Sequence, residues 1–219
     1  TMQQEQVVSD ILREEAKQKM SPFYDVSEDN LKFEEKAAKY IDFLNANAYD
    51  KERDVRTNIA GEFQKSNLAA ALQTAELICG RLDEDKIYEA LSQIRISGRM
   101  EEIAPGIIVD VSHNIQGMQG FVQTVEANYH GMKKRILFAA SHQNEEEYMK
   151  NILKTIPEIE AFYTVGIHKR RIDEAEFQDA FRKMIDRNQE TTVCFVVGSF
   201  YLAGMAKEFI NQEEENVRL

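Results

Sequence analysis

The 219-residue chain carries 38 Asp and Glu against 27 Lys and Arg, for a formal net charge of −11, with 43% hydrophobic and 30% charged residues. That balance is ordinary for a globular protein with a substantial core, and without clustered cations it argues against nucleic-acid and anionic-membrane surfaces. No apolar run approaches the roughly 18 residues of a membrane-spanning helix, and Thr1-Met2-Gln3-Gln4-Glu5 does not read as a signal peptide, so a cytoplasmic protein without a membrane partner is expected.

In chain order, Gln4 to Lys19 places Val7, Val8, Ile11, Leu12 and Ala16 at helical spacing, an amphipathic helix whose apolar stripe needs a sheet to cover. The runs Phe23 to Val26, Tyr40 to Leu44 and Val55 to Ile59 alternate as a small antiparallel meander, with a polar turn at Asp50 to Asp54. After Gly61, an Ala- and Leu-rich helix runs from Phe63 to Cys79 and stops at Gly80, and Asp83 caps a second helix through Ile94. From Ser97, strands and helices alternate. Ile107 to Val111, Arg135 to Ala140, Ala161 to Val165 and Thr192 to Val197 are strands. His113 to Tyr129, Glu145 to Thr155, Asp173 to Asn188 and Tyr201 to Asn211 are helices, and Gln212 to Leu219 is a frayed polar end. This predicts a doubly wound, Rossmann-like α/β domain over residues 97–219, preceded over residues 1–96 by part of another α/β domain made of helices and a small meander.

Cys79 and Cys194, far apart in apolar surroundings, read as reduced core thiols. Lys133-Lys134-Arg135 reads as a solvated turn, and Lys169-Arg170-Arg171 is the other local basic run. His142 with Glu145 to Glu147 lacks the spacing of a metal site, so no metal is assigned to this chain; His130 and His168 sit in turns. Gly117-Met118-Gln119-Gly120 falls within a helix, where its glycines permit close packing.

The informative stretch is Ser97 to Asn114. Its apolar run ends in Asp110, His113 and Asn114 at the carboxyl end of a strand, where open α/β sheets bind ligands. Upstream, Gly98-Arg99 supplies a turn and a guanidinium fork suited to phosphate. A plainer reading stays open, in which Asp110 caps the helix and His113 and Asn114 fill its first turn. Gly198-Ser199 is a second polar strand end, with Ser199 either a helix cap or a hydroxyl at the same sheet edge.

Several stretches in order resemble the carboxyl-terminal part of folylpolyglutamate synthase, within the Mur ligase superfamily. They are Gly61-Glu62-Phe63-Gln64-Lys65-Ser66-Asn67, similar to the family's G-x-x-Q-x-x-N-A-A, and Gly98-Arg99-Met100-Glu101, similar to P-G-R-x-E. Asp110-Val111-Ser112-His113-Asn114 resembles D-G-A-H-N, and Gly198-Ser199-Phe200-Tyr201 resembles G-S-L-Y. Ser97 stands for a proline, Val111-Ser112 for Gly-Ala, Ile115 for another proline, and Asn144-Glu145-Glu146 for Asp-Lys-Asp.

The resemblance implies an ATP-dependent amide ligase that adds glutamate to the γ-carboxylate of folate through an acyl phosphate, with ATP and Mg2+ as cofactors. It implies Asn67 near the adenine, Asp110 near the nucleotide and Arg99 near the transferring phosphate. His113, Ser199 and Tyr201 would then position glutamate, with Arg99, Asp110 and His113 as the catalytic set. The chain contains no G-x-x-x-x-G-K-S/T loop, and the family's phosphate loop and magnesium ligands belong to its first half. The resemblance therefore implies a fragment, inactive by itself and partnered by an amino-terminal ATPase half. The alternatives are another Mur ligase acting on a peptidoglycan precursor and a non-catalytic binding or assembly module of the same fold.

Overall fold

The computed structural model describes residues 1–2, 5–25, 31–37, 40–46, 54–57, 63–80, 83–141, 143–168, 171–185 and 191–218. The chain divides into two compact units, Thr1–Arg95 and Ile96–Leu219.

The first unit opens with α1 (Gln6–Gln18). Its apolar stripe is uncovered: Val7 is 70% and Ile11 59% exposed. The chain then turns back along the helix, with Arg13 paired to Asp25 and its guanidinium 5.0 Å from the centre of the Phe23 ring. Phe23 to Asp25 is therefore not a strand, which corrects the expectation; Phe23 lies beneath a cation instead of pairing in a sheet. The meander begins later, at β1 (Leu31–Ala37), and continues antiparallel through β2 (Tyr40–Ala46) and β3 (Asp54–Thr57), with Phe33 opposite Phe43 and Phe43 opposite Val55. The expected turn at residues 50–53, together with Val26, Asn58, Ile59, Gly61 and Glu62, lies outside the described residues. Helix α2 (Phe63–Cys79) ends where Gly80, at φ +75°, donates its N–H to the Glu76 carbonyl at 2.8 Å. Asp83 caps α3 (Glu84–Gln93), accepting from the Lys86 N–H at 3.2 Å. Cys79 is exposed, not a core thiol.

The second unit is a five-stranded sheet flanked by helices. Its elements are β4 (Glu101–Ala104), β5 (Ile107–Asp110), α4 (Ile115–Asn128), β6 (Lys133–Phe138), α5 (Glu146–Leu153) and β7 (Ile159–Thr164). A small hairpin, β8 (Ile167–His168) with β9 (Arg171–Ile172), then leads to α6 (Glu174–Ile185), β10 (Thr192–Val197) and α7 (Phe200–Arg218). The sheet order is β4-β5-β10-β6-β7, with the last four strands parallel and β4 antiparallel at the edge. Every residue of β5 and β10 is buried, as parallel strands covered on both faces require.

Side chains alternate between two layers. Val109, Val111, Cys194 and Val196 form one core with Phe177 and Phe181 of α6 and Leu202, Ala206 and Phe209 of α7. On the other face Phe195 meets Phe121 of α4 edge-on at 5.5 Å and Tyr129 at 5.2 Å. Helices α4 and α7 thus leave the neighbouring strands β5 and β10 toward opposite faces, which makes the β5/β10 carboxyl edge a topological switch point.

Several expectations are corrected here. Strand β4 and the β8–β9 hairpin were not foreseen, and His168 lies in β8, not in a turn. Helix α7 continues through the segment expected to fray, as far as Arg218. Lys133-Lys134-Arg135 is no solvated turn. It opens β6, with Lys134 only 1% exposed and its Nζ 3.0 Å from Glu158 Oε2, while Arg135 Nε donates to Glu160 Oε2 at 2.8 Å and Nη1 to the Met184 carbonyl at 3.0 Å. His142, Lys169, Arg170 and residues 186–190 lie outside the described residues. Burial pushes the Cys194 thiol up to about 11, so it is an inert core group, with the Arg135 charge opposing the shift.

Candidate functional site

Two helix starts meet two strand ends at the switch point. Asp110 is the last residue of β5 and pairs in register with Val197, the last of β10. After β5 the chain runs three residues before Asn114 caps α4, its Oδ1 accepting from the Gly117 N–H at 2.7 Å. The cap is Asn114, so the plainer reading that gave this task to Asp110 is corrected. After β10, Gly198 holds φ +108°, and a Cβ there would lie 2.6 Å from the Ala139 carbonyl oxygen and 2.7 Å from the Phe138 ring. Only glycine fits that approach. Ser199 follows, nearly inaccessible, and its Oγ accepts from the Tyr201 N–H at 3.0 Å to start α7.

Asp110 has no exposed surface. Its carboxylate accepts from the Ser112 Oγ at 2.5 Å, from the Ser112 N–H at 2.8 Å and from the Met100 N–H at 3.0 Å. Burial pushes this carboxyl above the usual aspartate range, although the Ser112 and Met100 donors and the Arg99 charge pull the other way. In this arrangement Asp110 joins the strand end to the loop that carries Arg99.

That loop is tied down residue by residue. Gly98, at φ +71°, accepts from the Val111 N–H at 2.8 Å through its carbonyl and donates its own N–H to Glu101 Oε2 at 2.6 Å. The Arg99 N–H donates to the Ile96 carbonyl at 3.2 Å. From α7, the Lys207 ammonium lies 2.6 Å from Glu101 Oε2 and donates to the Ser97 Oγ at 2.6 Å. Burial pushes the Glu101 carboxyl up, but the hydrogen bonds from Lys207 and from the Gly98 amide outweigh it, and the net displacement is downward.

His113 is half-buried, and its Nδ1 lies 2.9 Å from the Val111 carbonyl. A carbonyl only accepts, so Nδ1 carries the proton. The imidazole also rests against Phe200 at 5.6 Å between ring centres, which joins the start of α4 to the start of α7. Phe200 and Tyr201 are exposed at this edge, 59% and 43%.

Of the residues singled out from the sequence, Arg99, Asp110, His113, Ser199 and Tyr201 all belong to the second unit, around the β5/β10 carboxyl edge. Asn67 belongs to the first unit, where its amide donates to Gln64 Oε1 at 2.9 Å. Sequence reasoning missed Lys207, which lies 110 residues from its partner Ser97 and carries no local signal. Among the described residues no group of three His, Cys, Asp or Glu side chains could hold a metal ion. The edge offers one guanidinium, one imidazole and the N-termini of two helices, a donor set that suits an anion.

No family model matches the sequence, and no curated protein matches it. Solved structures do. The folylpolyglutamate synthetase of Lactobacillus casei superposes with a TM-score of 0.73 at 17% identity, over 96% of this chain and 53% of that one. The folylpolyglutamate synthase of Thermotoga maritima gives 0.67 at 19% identity, over 95% and 52%. A folylpolyglutamate synthase complex with AMPPCP and folate gives 0.71 at 18%, over 92% and 50%. The chain spans about half the length of the synthases it matches. At these identities the likeness establishes the fold, and the fold of the second unit is that of a folylpolyglutamate synthase carboxyl-terminal domain.

Proposed function

We propose that the chain is part of an ATP-dependent carboxylate–amine ligase of the folylpolyglutamate synthase type, which extends the γ-carboxylate of folate with glutamate through an acyl phosphate. The observation that carries this reading is convergence. Gly98 to Glu101, Asp110 to Asn114 and Gly198 to Tyr201, separate in sequence, meet at one sheet edge, bonded to each other through Met100–Asp110, Gly98–Val111 and His113–Phe200. The similar solved structures include one holding the ATP analogue AMPPCP together with folate, which makes ATP and folate the ligands to test.

In this reading Arg99 grips the transferring phosphate with its planar fork, as phosphoryl transfer is dominated by positioning and charge neutralisation. Asp110, enclosed by its donors, acts by holding the Arg99 loop against the strand that faces the nucleotide. His113, with Nδ1 fixed on Val111, orients the incoming glutamate together with the Ser199–Tyr201 turn, and Asn67 serves the adenine. ATP with Mg2+ supplies the phosphoryl group, and no described residue of this chain is assigned to the metal.

The 219 residues contain no phosphate-cradling glycine loop, so the chain alone does not form the acyl phosphate. The test is to express the complete reading frame that encodes these residues and, separately, the 219-residue chain, and to measure ADP release with folate substrate and glutamate. Glutamate-dependent release by the former and none by the latter is expected. Release by the complete protein with a peptidoglycan precursor but not with folate would replace the substrate. No release with either would leave a binding module.

A further inference from the structure

We propose that Lys207 is a positioning residue for Arg99, a clamp from α7 that holds the phosphate-facing loop in a single conformation. The proposal rests on the nucleotide reading above for what Arg99 binds, but the clamp itself is a matter of geometry. Ser97 and Glu101 stand two residues before and two after Arg99, and the Lys207 ammonium contacts both, each at 2.6 Å. The same Glu101 oxygen accepts from the Gly98 N–H at 2.6 Å, so one ammonium and one carboxylate close a ring around the turn. Below the ring, Asp110 holds the Met100 N–H and Val111 holds the Gly98 carbonyl.

These contacts fix the backbone on both sides of Arg99 from two directions, the β5 end and α7. A guanidinium on a loose surface turn would lose conformational freedom on gripping a phosphate, and one on a fixed turn has lost much of it already. Both partners are about two-thirds buried, with 29% of the Lys207 side chain and 33% of Glu101 exposed, so this pair is shielded more than an ordinary surface ion pair. Lys207 also lies two helical turns after Ser199 on α7. The helix whose first turn faces the site therefore carries the clamp on its second unit of length, and the Arg99 loop and the Ser199–Tyr201 turn keep a constant relative position.

The test uses the 219-residue chain in five forms: wild type, Lys207→Met, Lys207→Arg, Arg99→Ala and the Lys207→Met/Arg99→Ala double variant. Amide exchange followed by NMR is expected to quicken at Gly98 and Met100 in Lys207→Met by about 10-fold, while amides of β6 keep their protection. Lys207→Arg should restore most of the protection. Chemical-shift titration with AMPPCP should show about five-fold weaker binding for Lys207→Met, and that loss should vanish in the Arg99→Ala background, since a residue acting through Arg99 has nothing to add without it.

Equal losses with and without Arg99 would overturn the proposal, as would unchanged exchange at Gly98 and Met100. If the 219-residue wild type shows no AMPPCP shifts, the same titration is made on the complete reading frame, which adds the phosphate loop that these residues lack; no binding there fails the nucleotide reading, and the exchange measurement decides the clamp in either case. Should Lys207→Met fail to fold, Glu101→Gln cuts the same ring and carries the same expectations.

Discussion

Gly98 and Val111 are in contact through both backbone and side chain. The Val111 N–H donates to the Gly98 carbonyl at 2.8 Å, and a Cβ added to Gly98 would lie 2.7 Å from Val111 Cγ1. Gly98→Ala should therefore destabilise the second unit by about 2 kcal/mol or more, combining strain at φ +71° with a collision. Denaturant unfolding measures it. In a Val111→Ala background the added cost of Gly98→Ala should shrink but persist, because the collision goes and the strain remains.

Asp110 and Glu101 should give stability opposite dependences on pH. The Asp110 carboxyl is raised in the fold, so the stability it contributes is complete below the ordinary aspartate value and is lost as pH rises through the folded one. The Glu101 carboxyl is lowered, so its contribution is present above the ordinary glutamate value and is lost as pH falls through the folded one. Asp110→Asn should cost about 1–3 kcal/mol, because an amide cannot accept from all three donors, and the deficit should be largest in acid and shrink as pH rises. For Glu101→Gln the deficit should instead be absent in acid and appear as pH rises. Unfolding curves at several pH values separate the two variants, and a shared trend would contradict whichever assignment predicts the opposite sign.

Arg99→Lys tests the proposed phosphate contact within the complete ligase. Lysine keeps the charge and loses the fork, so turnover should fall roughly 10²-fold while the unfolding midpoint holds. If Arg99 merely decorates a turn, the exchange costs little, since exposed charges contribute about 0 to 1 kcal/mol. Steady-state kinetics and thermal unfolding of one preparation distinguish these outcomes. Near-normal turnover would remove Arg99 from the site.

At the opposite edge of the sheet, Lys134 and Glu158 form an asymmetric pair, the ammonium enclosed and the carboxylate half-exposed. Glu158→Ala leaves an enclosed cation without its acceptor and should cost about 1–3 kcal/mol, less than a fully buried pair because water reaches the vacated side. Lys134→Met removes the cation and should be neutral or stabilising. Both are read from denaturant midpoints; a large loss in Lys134→Met would show that the charge itself is needed.

The parallel strands were legible because β5 and β10 are uninterrupted apolar runs bounded by polar residues, and α2 because Gly80 ends it. Strand β1 was not, since Lys32, Glu34, Glu35 and Lys36 mask its alternation in a short segment. Helix α7 outran its apolar pattern because Glu and Gln are good helix formers and no Gly or Pro intervenes between Asn211 and Arg218. The burial of Lys134 and Arg135 is not legible in the sequence because their carboxylate partners lie 24 and 25 residues away, Glu158 just before the neighbouring strand β7 and Glu160 on it. At the site, Arg99 and Asp110 could be placed together because they flank one hairpin. Lys207 could not, since only the packing of α7 against that hairpin brings it there.

Strand β10 lies at the middle of the sheet, between β5 and β6, although it follows the other four strands of that sheet in sequence. As the chain leaves the ribosome, β5 and β6 cannot hydrogen-bond to each other, because the gap between them is one strand wide. Each holds an unpaired hydrogen-bonding edge until Thr192–Val197 emerges, so the nascent protein passes through a stage with two open strand edges that only its own later residues can seal. A premature stop just before Thr192 would lock it in that state, and chaperone dependence should be greatest for chains halted there.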